Sequence, residues 1–132
     1  MAVKLDGSMP TLVRAACLTN YAEVARGAGL DPVRQLLDAG LDPSVLREPD
    51  LLIPTVRARR LLDDSARRSG VEAFGLRMAL SRQLSNLGPV GMLLRDQPTM
   101  RDSIDVLIRY HAAMNGALAM MLEEQGDLVL IR

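Results

Sequence analysis

The sequence predicts an α+β fold: a mainly helical N-terminal part followed by a C-terminal β-hairpin that reads as a truncated sheet. Three observations carry this. Apolar residues recur at helical spacing over most of the chain. Proline and glycine divide that stretch into short helices. After Asn115-Gly116 the pattern changes to alternation, with Gln125-Gly126-Asp127 as a turn signal.

The elements follow in order. A first helix is expected from Pro10 to about Ala28, with Leu12, Ala15, Ala16, Thr19 and Ala22 to Val24 as its stripe and Gly27 and Gly29 as its end. Asp31 then caps a helix from Pro32 to Ala39, closed by Gly40, with proline at the first helical position. Leu41-Asp42-Pro43 repeats this cap eleven residues on and predicts one turn through Val45 and Leu46. Pro49 and Pro54 bracket a linker. A helix follows to about Ser69, apolar at Ala58, Leu61, Leu62, Ser65 and Ala66 and arginine-rich opposite. Val71 to Ser81 gives a further short helix, and Leu84 to Leu94 is a further apolar stretch holding Gly88, Pro89 and Gly91. Those glycines suit a tight turn or close backbone packing. Thr99 and Asp102 form a capping-box-like start for a helix with Met100, Ile104, Leu107, Ile108 and His111 on one face. Strands are expected at Leu118 to Leu122 and Leu128 to Ile131. Such an ending leaves an apolar edge, so the chain is expected to be the front part of a longer protein, or to pair with a second copy.

Composition excludes several classes. The 132 residues suit a single domain, and 48% apolar with 24% charged residues is globular usage. Sixteen basic residues balance sixteen acidic ones, without the basic excess usual in a free-standing nucleic-acid binder. One cysteine, Cys17, and one histidine, His111, exclude a disulfide framework and a multi-histidine metal centre within the chain. No cofactor is expected. No apolar run approaches the ~20 residues of a membrane span, and Met1 to Pro10 lacks a signal-peptide core, so a cytoplasmic setting is expected.

Candidate sites are few. Tyr21 to Pro32 has the outline of a helix-turn-helix, but the second helix is short, Arg34 is its only basic residue, and Gln35 stands where an apolar anchor belongs. The arginines of the 54–69 helix are interleaved with Asp63 and Asp64, as on a solvated, ion-paired face. His111 has the pKa range for acid–base work, yet no orienting carboxylate or nucleophile lies at local spacing. Met114, Met120 and Met121 gather at the helix–hairpin junction, where methionines fill gaps or line an adaptable apolar pocket.

Read as an ordered set, these segments resemble the N-terminal effector-sensing, arabinose-binding-like domain of AraC-type transcription regulators. The carriers are Gly29-Leu30-Asp31-Pro32, Ala39-Gly40-Leu41-Asp42-Pro43, Phe74-Gly75-Leu76-Arg77-Met78, Leu87-Gly88-Pro89-Val90-Gly91-Met92, Gln97-Pro98-Thr99-Met100, Ile108-Arg109-Tyr110-His111 and Leu122-Glu123-Glu124-Gln125-Gly126-Asp127. The resemblance implies a sensor that binds a small effector, forms a homodimer and modulates DNA binding through a C-terminal helix-turn-helix domain outside this chain. It does not fix the effector. The residues expected to contact it are Tyr110, His111, Met114, Met120 and Leu122, which combine apolar walls with two polar heads. Two other readings stay open: a dimerisation module without ligand, and a small hydrolase or isomerase using His111 with Cys17.

Overall fold

The computed structural model describes residues 10–132. Its elements are β1 (Leu12–Arg14), α1 (Tyr21–Gly27), α2 (Pro32–Asp38), β2 (Leu52–Pro54), α3 (Thr55–Ser69), α4 (Phe74–Ala79), α5 (Pro89–Arg95), α6 (Met100–Met114), β3 (Leu122–Gln125) and β4 (Leu128–Ile131). Single 3-10 turns occupy Ala15–Leu18, Pro43–Leu46 and Leu84–Leu87. The α+β class holds: helices dominate, and a hairpin lies at the C-terminus.

Side-chain caps start α2, the Pro43–Leu46 turn and α6. The Asp31 carboxylate accepts from the backbone N–H of Val33 at 3.0 Å, and Asp42 does the same for Ser44 at 2.8 Å. Each satisfies an N–H that the first turn leaves orphaned. Thr99 accepts from the Asp102 N–H at 3.1 Å. Only half of the expected capping box forms, because the Asp102 carboxylate accepts from the Thr99 hydroxyl instead of the backbone.

One expectation fails at the N-terminus. No helix runs from Pro10; Leu12–Arg14 is a strand, a 3-10 turn follows, and Asn20 in the left-handed region (φ 67°) separates this stretch from α1. The partner strand is β2, inside the stretch expected to be a linker. The two run antiparallel with Val13 opposite Ile53, both buried. Pairing Val13 with Ile53 buries two β-branched side chains, which a short alanine-rich helix does not match.

The core lies in the first two-thirds of the chain. Tyr21, Leu18, Leu36, Leu61, Phe74 and Met78 are almost completely buried and form one cluster with Val13, Ile53 and Ala58. At its centre the Tyr21 hydroxyl shares a 2.7 Å hydrogen bond with Ser65, the one polar side chain of α3 that is fully buried. Between α2 and α3, Arg68 donates to the buried Gln35 at 2.8 Å and to Asp38 at 2.7 Å. Gln35 and Leu36 thus face inward, and α1–α2 is a scaffold pair.

The second half is a thinner layer. Helix α5 packs on α6 and on the Leu84–Leu87 turn. Gly88 enters α5 at φ 61° and ψ −137°, a conformation reserved in practice for glycine. Gly91 brings α5 against the backbone of Leu84: a Cβ there would stand 2.2 Å from the Leu84 carbonyl oxygen. The hairpin β3–β4 is antiparallel, with Leu122 opposite Ile131. Its first strand starts at Leu122 and not at Leu118, because Asn115 ends α6 and folds back, its side chain accepting from the Ala117 N–H at 3.0 Å. The ladder gains one further pair of hydrogen bonds between Met121 and Arg132.

Candidate functional site

The junction between the two halves forms a cleft. Asn115 makes an isolated bridge to Val13, and the Gly116 N–H donates to the Leu12 carbonyl at 2.8 Å. These bonds fix the C-terminal end of α6 across β1. A side chain at Gly116 would come within 3.2 Å of that carbonyl oxygen. The Leu84–Leu87 turn closes a third side. An open cleft of about 590 Å³ remains between them. That is ample for a small ligand.

Three segments far apart in sequence line it. The first contributes Val13, Arg14 and Cys17, the second Arg82 to Leu87, the third the end of α6 with Leu118 and Met120. Most of the wall is aliphatic or thioether. Of the five residues expected to contact an effector, His111, Met114 and Met120 line this cleft. Tyr110 lies outside its wall and is 39% exposed, on the next position around α6. Leu122 also lies outside, paired with Ile131 in the hairpin. Sequence reasoning missed Arg14, Cys17, Arg82, Leu84, Leu87 and Leu107 as wall residues. Only Leu107 carried a local signal, one helical turn before His111 on the same face.

The polar groups of the wall have defined partners. Arg14 forms an ion pair with Asp50 and donates to the Asn86 carbonyl at 3.3 Å. Arg82 donates to the Cys17 carbonyl at 2.5 Å. Asn86 accepts from the Gln83 N–H at 2.7 Å. The His111 Nδ1 lies 2.5 Å from the Ile108 carbonyl of its own helix, and because a carbonyl only accepts, Nδ1 is the donor. Cys17 and His111 therefore share a cleft that their sequence separation hid. Burial pushes the Cys17 thiol up from its ordinary pKa, and the nearby Arg82 charge and a backbone hydrogen bond counter this only in part. A thiol held protonated is a poor nucleophile. The imidazole is oriented by a backbone carbonyl and not by a carboxylate. Among the described residues no group of three or more His, Cys, Asp or Glu side chains is placed to hold a metal ion.

A family model for the arabinose-binding N-terminal domain of AraC transcription regulators matches residues 29–132. The chain belongs to that family. It is also 29% identical over 110 residues to the HTH-type transcriptional regulator VirS of Mycobacterium tuberculosis, in sequences from two strains. That match covers 83% of this chain and 32% of the relative. The chain thus spans about a third of the length of the curated relatives it matches. The family match contains the Arg82–Leu87 and α6 walls of the cleft and leaves the β1 wall outside. Among the described residues no helix is long and apolar enough to cross a membrane.

Proposed function

We propose that this domain senses a small effector in the cleft between β1, the Leu84–Leu87 turn and α6, and that occupancy changes how an attached helix-turn-helix domain meets DNA. The observation that carries the reading is the position of the cleft. It is walled by the well-packed first half on one side and by the thin α6–hairpin layer on the other. A ligand touching both walls binds one arrangement of the two layers better than another and shifts the population toward it. The effector contacts are His111, Met114 and Met120 within the cleft, with Tyr110 and Leu122 flanking it. DNA binding belongs to the attached domain, since the chain is charge-neutral and α2 turns Gln35 and Leu36 inward.

A second reading, an enzyme using His111 with Cys17, is disfavoured by the raised thiol and the carbonyl-bound imidazole. A homodimer is the simplest assembly, because β4 presents a wholly apolar edge strand.

The test is a thermal-shift screen of small metabolites against the 132-residue chain and its cleft-filling variants Met120→Trp and Leu118→Trp. Compounds that raise the wild-type Tm and leave both variants unmoved support the reading. Compounds that stabilise wild type and variants alike bind elsewhere and contradict it. Turnover of a substrate that is lost in His111→Ala would replace it with the enzyme reading.

A further inference from the structure

We infer that the cleft takes a small amphiphile with one anionic head, held at Arg82, and not an uncharged sugar. The inference rests on the cleft being the effector site and concerns the chemistry that this site accepts. Its wall contains two guanidinium groups, Arg14 and Arg82, and no carboxylate. Arg14 is already committed to Asp50 and to the Asn86 carbonyl. Arg82 is different: among the described residues it has no carboxylate partner, and its one hydrogen bond goes to a neutral backbone oxygen, that of Cys17. This bond anchors the guanidinium beside the cleft while most of its five N–H donors stay available. A carboxylate meets such a group in the two-pronged geometry that arginine favours.

The rest of the wall sets the other end of the ligand. Val13, Leu84, Leu87, Leu107, Met114 and Met120 offer apolar surface and no hydrogen bonds. A sugar brings a hydroxyl on nearly every carbon, and each one buried without a partner is unfavourable. Three of the polar side chains that might receive those hydroxyls already have one atom engaged in the fold. Asn86 binds the Gln83 N–H, Asn115 binds the Ala117 N–H, and the His111 Nδ1 binds the Ile108 carbonyl. An aliphatic tail needs none of them, and flexible methionines adapt to it.

The test is calorimetric titration of the 132-residue chain with decanoate, decan-1-ol and L-arabinose, repeated with Arg82→Gln and Arg82→Lys. A charge-assisted contact predicts decanoate binding about tenfold to a hundredfold tighter than decanol in the wild type. The preference should shrink with added salt, fall to near unity in Arg82→Gln and survive largely in Arg82→Lys. If Arg82→Gln fails to fold, the wild-type preference, its salt dependence and Arg82→Lys decide. Equal affinity for decanoate and decanol would overturn the anionic head while leaving the cleft as a binding site. Arabinose binding tighter than either amphiphile would overturn the ligand class. Binding of none of the three would overturn both this inference and the effector-site reading beneath it.

Discussion

Replacing Gly91 with alanine tests the joint that shapes the cleft. Gly91 is buried in α5, and its Cβ would stand 2.2 Å from the Leu84 carbonyl oxygen and 3.0 Å from the carbonyl carbon. Real Cβ atoms essentially never come closer than 3.0 Å, so the helix and the Leu84–Leu87 turn must separate by about 0.8 Å. The obstacle is backbone, so no rotamer change relieves it. Two effects compete. Alanine's helix preference over glycine contributes at most about 1 kcal/mol in its favour. Forcing packed backbone apart costs about 1–3 kcal/mol. Set against the full helix gain, the clash leaves a net loss of about 0–2 kcal/mol, lowering Tm by about 3–5 °C per kcal/mol for a chain of this size, and Gly91→Ala should fall about 1–3 kcal/mol below Gly75→Ala. Gly75→Ala is the control: it lies in α4, nothing stands within 4 Å of its would-be Cβ, and its φ is not positive, so it should be neutral or slightly stabilising. Circular-dichroism melts and urea titrations of both variants give the comparison. A Gly91→Ala protein as stable as Gly75→Ala would show that α5 and Leu84 do not approach as described.

Other substitutions probe the core and the hairpin. Tyr21→Phe should cost about 1–3 kcal/mol by leaving the buried Ser65 hydroxyl unpaired, and Tyr21→Phe with Ser65→Ala should recover part of the loss in urea unfolding. Burial raises the Tyr21 pKa, with Ser65 and Arg68 opposing. The unfolded tyrosine therefore ionises first, and wild-type stability should fall as pH rises above about 10, a slope that Tyr21→Phe reduces. Arg68→Ala should destabilise by about 1–2 kcal/mol, because the side-chain amide oxygen of the buried Gln35 loses its donor. Asp38, held below its ordinary pKa first by its hydrogen bond from Arg68, gives the wild type stability above the unfolded carboxylate range. That contribution is lost on acidification through the lowered folded pKa, and Arg68→Ala should remove this part of the acid sensitivity. In light scattering across a concentration series, the isolated chain should self-associate through β4, whose Leu128, Val129, Leu130 and Ile131 are all exposed. Val129→Lys and Ile131→Lys should reduce that association, and a wild type that stays monomeric at high concentration would contradict it.

What was legible in the sequence was local. Asp31 and Asp42 name their own helix starts because a cap acts within three residues, and proline beside each fixes the backbone. Gly126 marks the hairpin turn for the same reason, with φ 58° in the structure. The β1–β2 pair was illegible because each strand has three residues and its partner lies far along the chain. Neither has the length for a period, and Pro54 reads as a break before it reads as a strand end. The cleft divides along the same line. His111, Met114 and Met120 stand close together near one helix end, so their grouping is visible in sequence. Arg14, Cys17 and Arg82 join them through long-range contacts such as the Val13–Asn115 bridge, the Gly116–Leu12 hydrogen bond and the Arg82–Cys17 contact, and no spacing rule encodes those.

The central claim is that the cleft between β1 and α6 is the ligand site. It is tested most directly by following the backbone amide resonances of the isotope-labelled 132-residue chain during titration with decanoate. The account predicts the largest changes at Cys17, Arg82, Leu84, His111, Met114 and Met120, with the α1–α2 pair almost unmoved. A second, smaller depression beside Tyr21, Arg26 and Val45 gives the contrast. Changes centred there, or spread along the exposed face of β4 with the cleft residues still, would contradict the account.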